Sequence, residues 1–340
     1  IGDYQFLDTY RTTGVSYNGI TGLEPSRLFN PEFGWETNKK MEAALEMGFL
    51  QDKIFLTAAW YQNRSSNQLV GIPLAGTTGF QSMQANLDAV VQNRGMEFTL
   101  RTENFNARNF KWTTSLNLTF AKNKLISFPG LSASPYNEKY RIGEPLNIEL
   151  NYKYTGINSQ TGVYLFEDMN KDGTISFPED KQSVVDFNPQ YYGGLQNQLS
   201  YKQWKLDFLF QFVKQENRSY YNGFVGQMSN QPARVTDGWT NPADHASYQI
   251  YTSGYNEDAV TADYLYSQST GSITDASFIR LKNVGISYDV PLSMKTTKCQ
   301  LILQGQNLLT FTKYKDGDPE FIASGYLPPL KIITAGIQLT

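Results

Sequence analysis

The sequence predicts an all-β fold, an antiparallel transmembrane β-barrel of the outer-membrane kind, on three observations. Apolar and polar residues alternate with a period of two over segment after segment. Connections alternate in length, short turns at one end of a meander and long loops at the other. Aromatic residues make up 14% of the 340 positions, yet mean hydropathy is −0.44, which suits an apolar band on an otherwise polar structure.

Each strand carries the alternation plainly. In "MEAALEMGF" (41–49), Met41, Leu45, Met47 and Phe49 oppose Glu42 and Glu46. "GMEFTLR" (95–101) sets Met96, Phe98 and Leu100 against Glu97, Thr99 and Arg101. "KWTTSLNLTF" (111–120) puts Trp112, Leu116, Leu118 and Phe120 on one face with Thr114. "WKLDFLFQF" (204–212) aligns Trp204, Leu206, Phe208, Phe210 and Phe212 against Lys205, Asp207, Leu209 and Gln211. The last strand alternates Ile333, Ala335, Ile337 and Leu339 with Thr334, Gly336, Gln338 and Thr340. Short turns fall at 50–53, 104–109, 201–203 and roughly 291–298; long loops fall near 65–92, 126–188, 214–275 and 312–331. The count is ten strands, or twelve if residues near 146–155 and 162–167 also cross. Helical signals are almost absent.

Alternation alone also fits a soluble β-sandwich, whose apolar face would be a core. Loop lengths and the aromatics near strand ends (Trp112, Trp204, Tyr288) favour the barrel. In lipid the sheet has to close, because each unpaired backbone group at an open edge costs several kcal/mol.

Composition excludes several classes. A net charge of −3 is too small to imply a nucleic-acid partner. One cysteine, Cys299, excludes an internal disulfide framework. One histidine, His245, leaves little room for histidine catalysis or a multi-histidine metal site. Acid pairs such as Glu257–Asp258 and Glu179–Asp180 read as solvated loop acids, so no catalytic residue is assigned and the chain is read as a non-enzyme. Asn63, Asn117 and Asn217 open glycosylation-type triplets that carry no information here, and parity turns Asn117 to the lumen. Cys299 sits on the apolar series with Leu301 and Leu303. Tyr220, Tyr221, Tyr248, Tyr251, Tyr255, Tyr264 and Tyr266 could stack on a substrate, but packing of the loop on itself or on a partner ranks first. No stretch approaches the ~18 apolar residues of a membrane helix. The opening "IGDYQFLDTY" has no signal-peptide pattern, as expected of a mature chain or a fragment.

Specific blocks resemble a family. "NPEFGWETNKKMEAALEMGFLQDKIFLTAAWYQNRSSNQL" (30–69), "GFQSMQANLDAVVQNRGMEFTL" (79–100), "PQYYGGLQNQLSYKQWKLDFLFQF" (189–212), "DGWTNPAD" (237–244), "DASFIRLKNVGISYDVP" (275–291) and "GQNLLTFTKYKDGDPE" (305–320) resemble the barrel of SusC/RagA-type TonB-dependent outer-membrane transporters. The resemblance implies that residues 1–340 are the C-terminal portion, roughly half, of a 22-stranded barrel. The plug and N-terminal domains would lie outside this chain. It implies a bacterial outer-membrane location and import of oligosaccharides or peptides. The implied partners are a SusD-like lipoprotein, a TonB complex reached through segments not in this chain, and outer-membrane lipid. A dimer of transporter–lipoprotein pairs is also implied. The alternative is a barrel scaffold anchoring surface assemblies without import. Substrate-binding residues are not assigned.

The sharpest local motif is "DMNKDGTISFPED" (168–180), which fits the calcium-loop spacing D-x-[DN]-x-[DN]-G-x5-E. Asp168, Asn170 and Asp172 would supply side-chain oxygens, Thr174 its carbonyl, Ser176 a direct or water-mediated contact, and Glu179 two closing oxygens around Ca²⁺. Strand-like sequence on both sides makes it a loop grafted onto a β-connection. The same residues also build an ordinary Asx-type turn, so both readings stand. Strand parity places the loop on the outer side whether ten or twelve strands are counted.

Overall fold

Strand formation follows the alternation closely. A computed structural model describes residues 7–219, 224–231, 233–242, 244–292, 297–321 and 327–340. Its strands are β1 (Thr9–Tyr17), β2 (Ile20–Arg27), β3 (Thr37–Phe49), β4 (Ile54–Ser66), β5 (Gln68–Pro73), β6 (Ser82–Leu87), β7 (Val90–Ala107) and β8 (Phe110–Ser127). There follow β9 (Ile148–Asn151), β10 (Tyr154–Ile157), β11 (Tyr164–Phe166), β12 (Ser183–Asp186), β13 (Tyr191–Tyr201), β14 (Trp204–Lys214) and β15 (Glu216–Arg218). Helix α1 (Glu257–Ser267), β16 (Ile273–Asp275), β17 (Phe278–Val290), β18 (Cys299–Thr312) and β19 (Ile332–Leu339) complete the order.

Nine strands form one antiparallel sheet in the order β19-β18-β17-β14-β13-β8-β7-β4-β3. The remaining strands pair off as β1-β2, β5-β6, β9-β12, β10-β11 and β15-β16. The expected count of ten or twelve crossing strands is therefore nine among the described residues. Region 126–188 contributes none, because its short strands pair with one another. The β1-β2 segment alternates too, but it is satisfied by its own hairpin.

Cross-strand register shows why the two faces differ. One row reads Trp112, Leu199, Leu206, Ile286, Leu303 and Ala335. The adjacent row on the other face reads Thr113, Gln198, Asp207, Gly285, Gln304 and Thr334. An apolar outer face and a polar inner face are what a lipid-embedded wall needs. Alternation breaks in "IRLKNV". There β17 carries an extra residue, Lys282, between Leu281 and Asn283 opposite β14. This bulge shifts the apolar phase from Ile279 and Leu281 to Val284, Ile286 and Tyr288.

Aromatics mark the band. At the short-turn end Phe105 and Phe110 lie 5.4 Å apart and Trp204 and Tyr288 4.6 Å apart. At the long-loop end Phe120 sits 6.4 Å from Phe98 and 5.7 Å from Tyr191. Phe110 and Phe120 are separated by ten residues of β8, about 33 Å of strand. At a tilt of ~40° that projects to about 25 Å, the height of an outer-membrane apolar band. Among the described residues no helix is long and apolar enough to cross a membrane.

The chain divides into two compact units. The first comprises residues 1–43, 61–94 and 123–146, the second 44–60, 95–122 and 147–340. In the first, Ala89, Val91, Leu125 and Phe128 form a buried core, packed by Leu131, Tyr136, Tyr140 and Leu146. In the second, the turn at 202–203 is pinned beside the one at 108–109, where Lys202 N donates to the Asn109 carbonyl at 2.9 Å. Turn 50–53 is held beside β7 by Glu103 N donating to the Lys53 carbonyl at 2.7 Å. The middle of the expected 291–298 turn lies outside the described residues.

Candidate functional site

The long loops of the second unit interlock. Tyr152 N donates to the Gln268 carbonyl at 3.1 Å, and Thr270 N donates back to the Tyr152 carbonyl at 2.9 Å. Ile250 N bonds the Gly162 carbonyl at 2.8 Å, and Ser219 N bonds the Ser272 carbonyl at 2.7 Å. Residues 147–188 and loop 214–275 thus form one layer. Gly162 is needed in it, since its φ is +71° and a Cβ there would stand 2.2 Å from the Trp239 ring.

Helix α1 is the element that the sequence reading missed. Its signal was present: Asn256 caps it by accepting from Ala259 N at 3.0 Å, and Glu257 and Asp258 occupy the first turn. Those acids favour the positive helix end; they are solvated, as expected, but lie on a helix rather than in an irregular loop. Asp263 on this helix is 5% exposed, and its burial pushes the carboxyl up to about 7.

The tyrosines divide. Tyr266 stacks on Tyr164 with centroids 4.2 Å apart, and Tyr154 meets Tyr266 edge-on at 5.2 Å. Burial raises the Tyr164 phenol. These rings pack the loop layer on itself, as ranked first from sequence. Tyr255 and Tyr264 are exposed and Tyr251 partly so; Tyr220 and Tyr221 lie outside the described residues.

Arg218 joins the layer together. Its Nη2 bonds Glu149 and donates to Asn151 Oδ1 at 2.6 Å, while Nη1 donates to the Ser267 carbonyl and Ser272 Oγ, each at 2.8 Å. Its own carbonyl accepts from the Tyr314 hydroxyl at 2.7 Å. One guanidinium fork therefore holds β9, the end of α1 and the turn before β16.

A second cluster was equally unforeseen. Arg280, 1% exposed on its side chain, donates to both oxygens of Asp318 at 2.7 and 2.6 Å and to Glu320 at 2.7 Å. Lys282 also pairs with Glu320, at 2.9 Å. The spacing carried a signal: two cations at i and i+2 in "IRLKN", two acids at i and i+2 in "DGDPEF". Together they clamp segment 313–321 onto β17.

Loop 168–180 connects β11 to β12 and lies on the long-loop side, as parity required. Asp168 Oδ1 accepts from Lys171 N at 2.6 Å and Oδ2 from Gly173 N at 2.8 Å. Asp172 Oδ1 accepts from both Thr174 N and Thr174 Oγ1 at 2.8 Å, which holds its carboxyl below the usual range. Asn170 Nδ2 donates to Asp172 Oδ2 at 2.9 Å. Asp180, fully buried, closes the turn by accepting from Met169 N at 2.6 Å and Ser176 N at 2.8 Å. Glu179 instead faces Ser176 Oγ at 3.4 Å. Gly173 has φ +89°, the left-handed turn the pattern asks of glycine. Among the described residues no three Asp, Glu, His or Cys groups are placed to hold a metal ion. Backbone amides hydrogen-bond the Asp168 and Asp172 carboxylates in this conformation. His245 is exposed, and Cys299 is a free, half-buried thiol in the sheet opposite Val290 and Leu339.

No protein-family profile matches the chain. It is 29% identical over 391 aligned positions to TonB-dependent receptor P26 of Formosa agariphila, covering 99% of this chain and 38% of that protein. It is 25% identical to TonB-dependent receptor SusC of Bacteroides thetaiotaomicron, covering 93% and 32%. Over nearly its whole length the chain is similar to SusC-type TonB-dependent receptors. Its fold is that of the RagAB peptide transporter structure, with TM-score 0.79 at 23% identity over all of this chain and 39% of that one. This wall belongs to the bacterial outer membrane. It spans about a third of the length of the curated relatives it matches.

Proposed function

We propose that this SusC/RagA-type chain is part of the wall of a TonB-dependent importer of oligosaccharides or peptides, working with a SusD-like lipoprotein. The observation that carries the reading is the alignment of nearly the whole chain, in sequence and in fold, with SusC-type and RagA-type proteins. The sheet supports a further part of it. Edge strands β3 and β19 leave backbone groups that lipid does not tolerate unpaired. Additional strands of the same polypeptide would close the wall, with this chain as the C-terminal portion. The interlocked loop layer is the surface offered to the lipoprotein, and Tyr255 and Tyr264 are exposed on it.

The test is uptake of radiolabelled peptide and oligosaccharide pools by cells carrying the full-length protein. Uptake of one pool is expected to vanish when the TonB-contacting segment is deleted; unchanged uptake contradicts import.

Calcium at Asp168, Asn170, Asp172, Thr174, Ser176 and Glu179 is supported by spacing alone. Because amide donors already hold the loop carboxylates in this conformation, chelator is expected to leave amide exchange of Met169, Gly173 and Ser176 unchanged. Faster exchange in chelator, reversed by added Ca²⁺ and absent in Asp168→Ala, would establish the ion instead.

A further inference from the structure

The outward strand face of the first unit carries cations where the apolar band ends. On β8, Phe120, Lys122 and Lys124 share one face by period-two alternation, and all three are exposed. Phe120 marks the long-loop end of the band, and Lys124 lies four residues beyond it. On β7, Arg94 likewise lies four residues beyond Phe98. Four residues are about 13 Å of strand, or about 10 Å of height at a tilt of ~40°. Long lysine and arginine stems bring such charges back to the headgroup zone just outside the hydrocarbon.

Contacts within the first unit fix the side that these chains take. Asn123 Nδ2 donates to Asn93 Oδ1 at 2.6 Å, and Val91 and Leu125 share the buried core. The odd-numbered residues here therefore turn inward, and Gln92, Arg94 and Lys124 turn outward. Arg64 joins them from β4, its Nε donating to Gln92 Oε1 at 2.8 Å. Arg64, Arg94 and Lys124 thus gather on one face of three neighbouring strands, β4, β7 and β8. All three are exposed, and none forms an ion pair among the described residues.

Cations gathered on one strand face repel one another, and an anion set among them offsets that cost. We propose that Arg64, Arg94 and Lys124 bind the phosphate of an outer-leaflet lipid headgroup. The long-loop end of the strands places the cluster on the outer side. Below Lys124 the same face of β8 continues as Phe120, Leu118 and Leu116, a surface for acyl chains. That continuation selects a lipid over a dissolved anion, because one molecule then satisfies the cations and covers the apolar strand beneath them. Attraction of this kind falls off within a Debye length and weakens with salt. The lipid site is independent of which nutrient the protein imports.

The experiment uses the full-length protein in a neutral detergent. Native mass spectrometry follows its titration with monophosphoryl lipid A and with the same lipid stripped of its phosphate. Wild type is expected to bind the phosphorylated lipid at least about tenfold more tightly. Arg94→Gln combined with Lys124→Gln should remove most of that preference, with Arg64 left in place to hold Gln92. Arg94→Lys, which keeps the charge, should retain it. Heat-modifiable migration of each variant checks folding, and the phosphate comparison on wild type needs no variant. Equal affinity of wild type for the two lipids overturns the proposal, and so does an unchanged preference in the double variant. Displacement of the lipid by an equal concentration of inorganic phosphate overturns the lipid as the ligand.

Discussion

Replacing Arg280 by methionine is expected to free segment 313–321 from β17, with a local loss of about 3–5 kcal/mol. The size follows from burial. Arg280 is 1% exposed, and its fork reaches Asp318 and Glu320 at 2.6–2.7 Å. Removing one partner leaves two carboxylates, 11% and 26% exposed, with only Lys282 to face. The loss is therefore mainly the penalty of uncompensated charge rather than the worth of the pair. That distinction is testable, since adding Asp318→Asn and Glu320→Gln to Arg280→Met should recover most of the stability. Hydrogen exchange of the Glu320 and Phe321 amides, which bond Asp318, gives the readout. Unaltered exchange in Arg280→Met contradicts the clamp.

Arg218→Ala is expected to loosen the loop layer by about 2–3 kcal/mol, as hydrogen bonds to charged groups are worth about 1.5–3 kcal/mol. The side chain is 28% exposed and Glu149 52%, so the Glu149 contact adds little. The weight falls on Asn151, the Ser267 carbonyl and Ser272. Exchange at the Tyr152, Thr270 and Ser219 amides should rise together, because each bonds across the loops that Arg218 joins. Arg218→Lys should rescue little, since an ammonium cannot reproduce a planar fork with partners on three elements. A rise confined to Ser219 would reduce Arg218 to a local contact.

The strands were legible because one constraint fixes them: a sheet between lipid and lumen needs period-two alternation, and a one-residue slip reverses every side chain. Leu206, Phe208 and Phe210 announce β14 without any tertiary knowledge. The outer layer was harder to read. Arg218 and Arg280 act on partners dozens of residues away, and period-two reasoning carries no information across such distances. Helix α1 was missed for a different reason. Its cap and first-turn acids are a local signal, but an isolated helix in a long loop lies outside the period-two pattern of the strands around it. Loop 168–180 is a different case: its ion-loop spacing also builds an Asx-type turn with amides on the carboxylates, and spacing alone does not separate a turn from a cation site. Lys282 lies between these cases: the broken alternation in "IRLKNV" was visible, and only the register opposite β14 identified it as a bulge.

The central claim is that one face of this sheet meets lipid and the other a lumen. Spin labels at single cysteines along β14 test it most directly, in full-length protein with Cys299→Ser, reconstituted in bilayers. Labels at Leu206→Cys, Phe208→Cys and Phe210→Cys should collide with oxygen dissolved in lipid. Labels at Lys205→Cys, Asp207→Cys and Gln211→Cys should not. A period-two oscillation in that order supports the account; uniform accessibility, or the reverse phase, contradicts it.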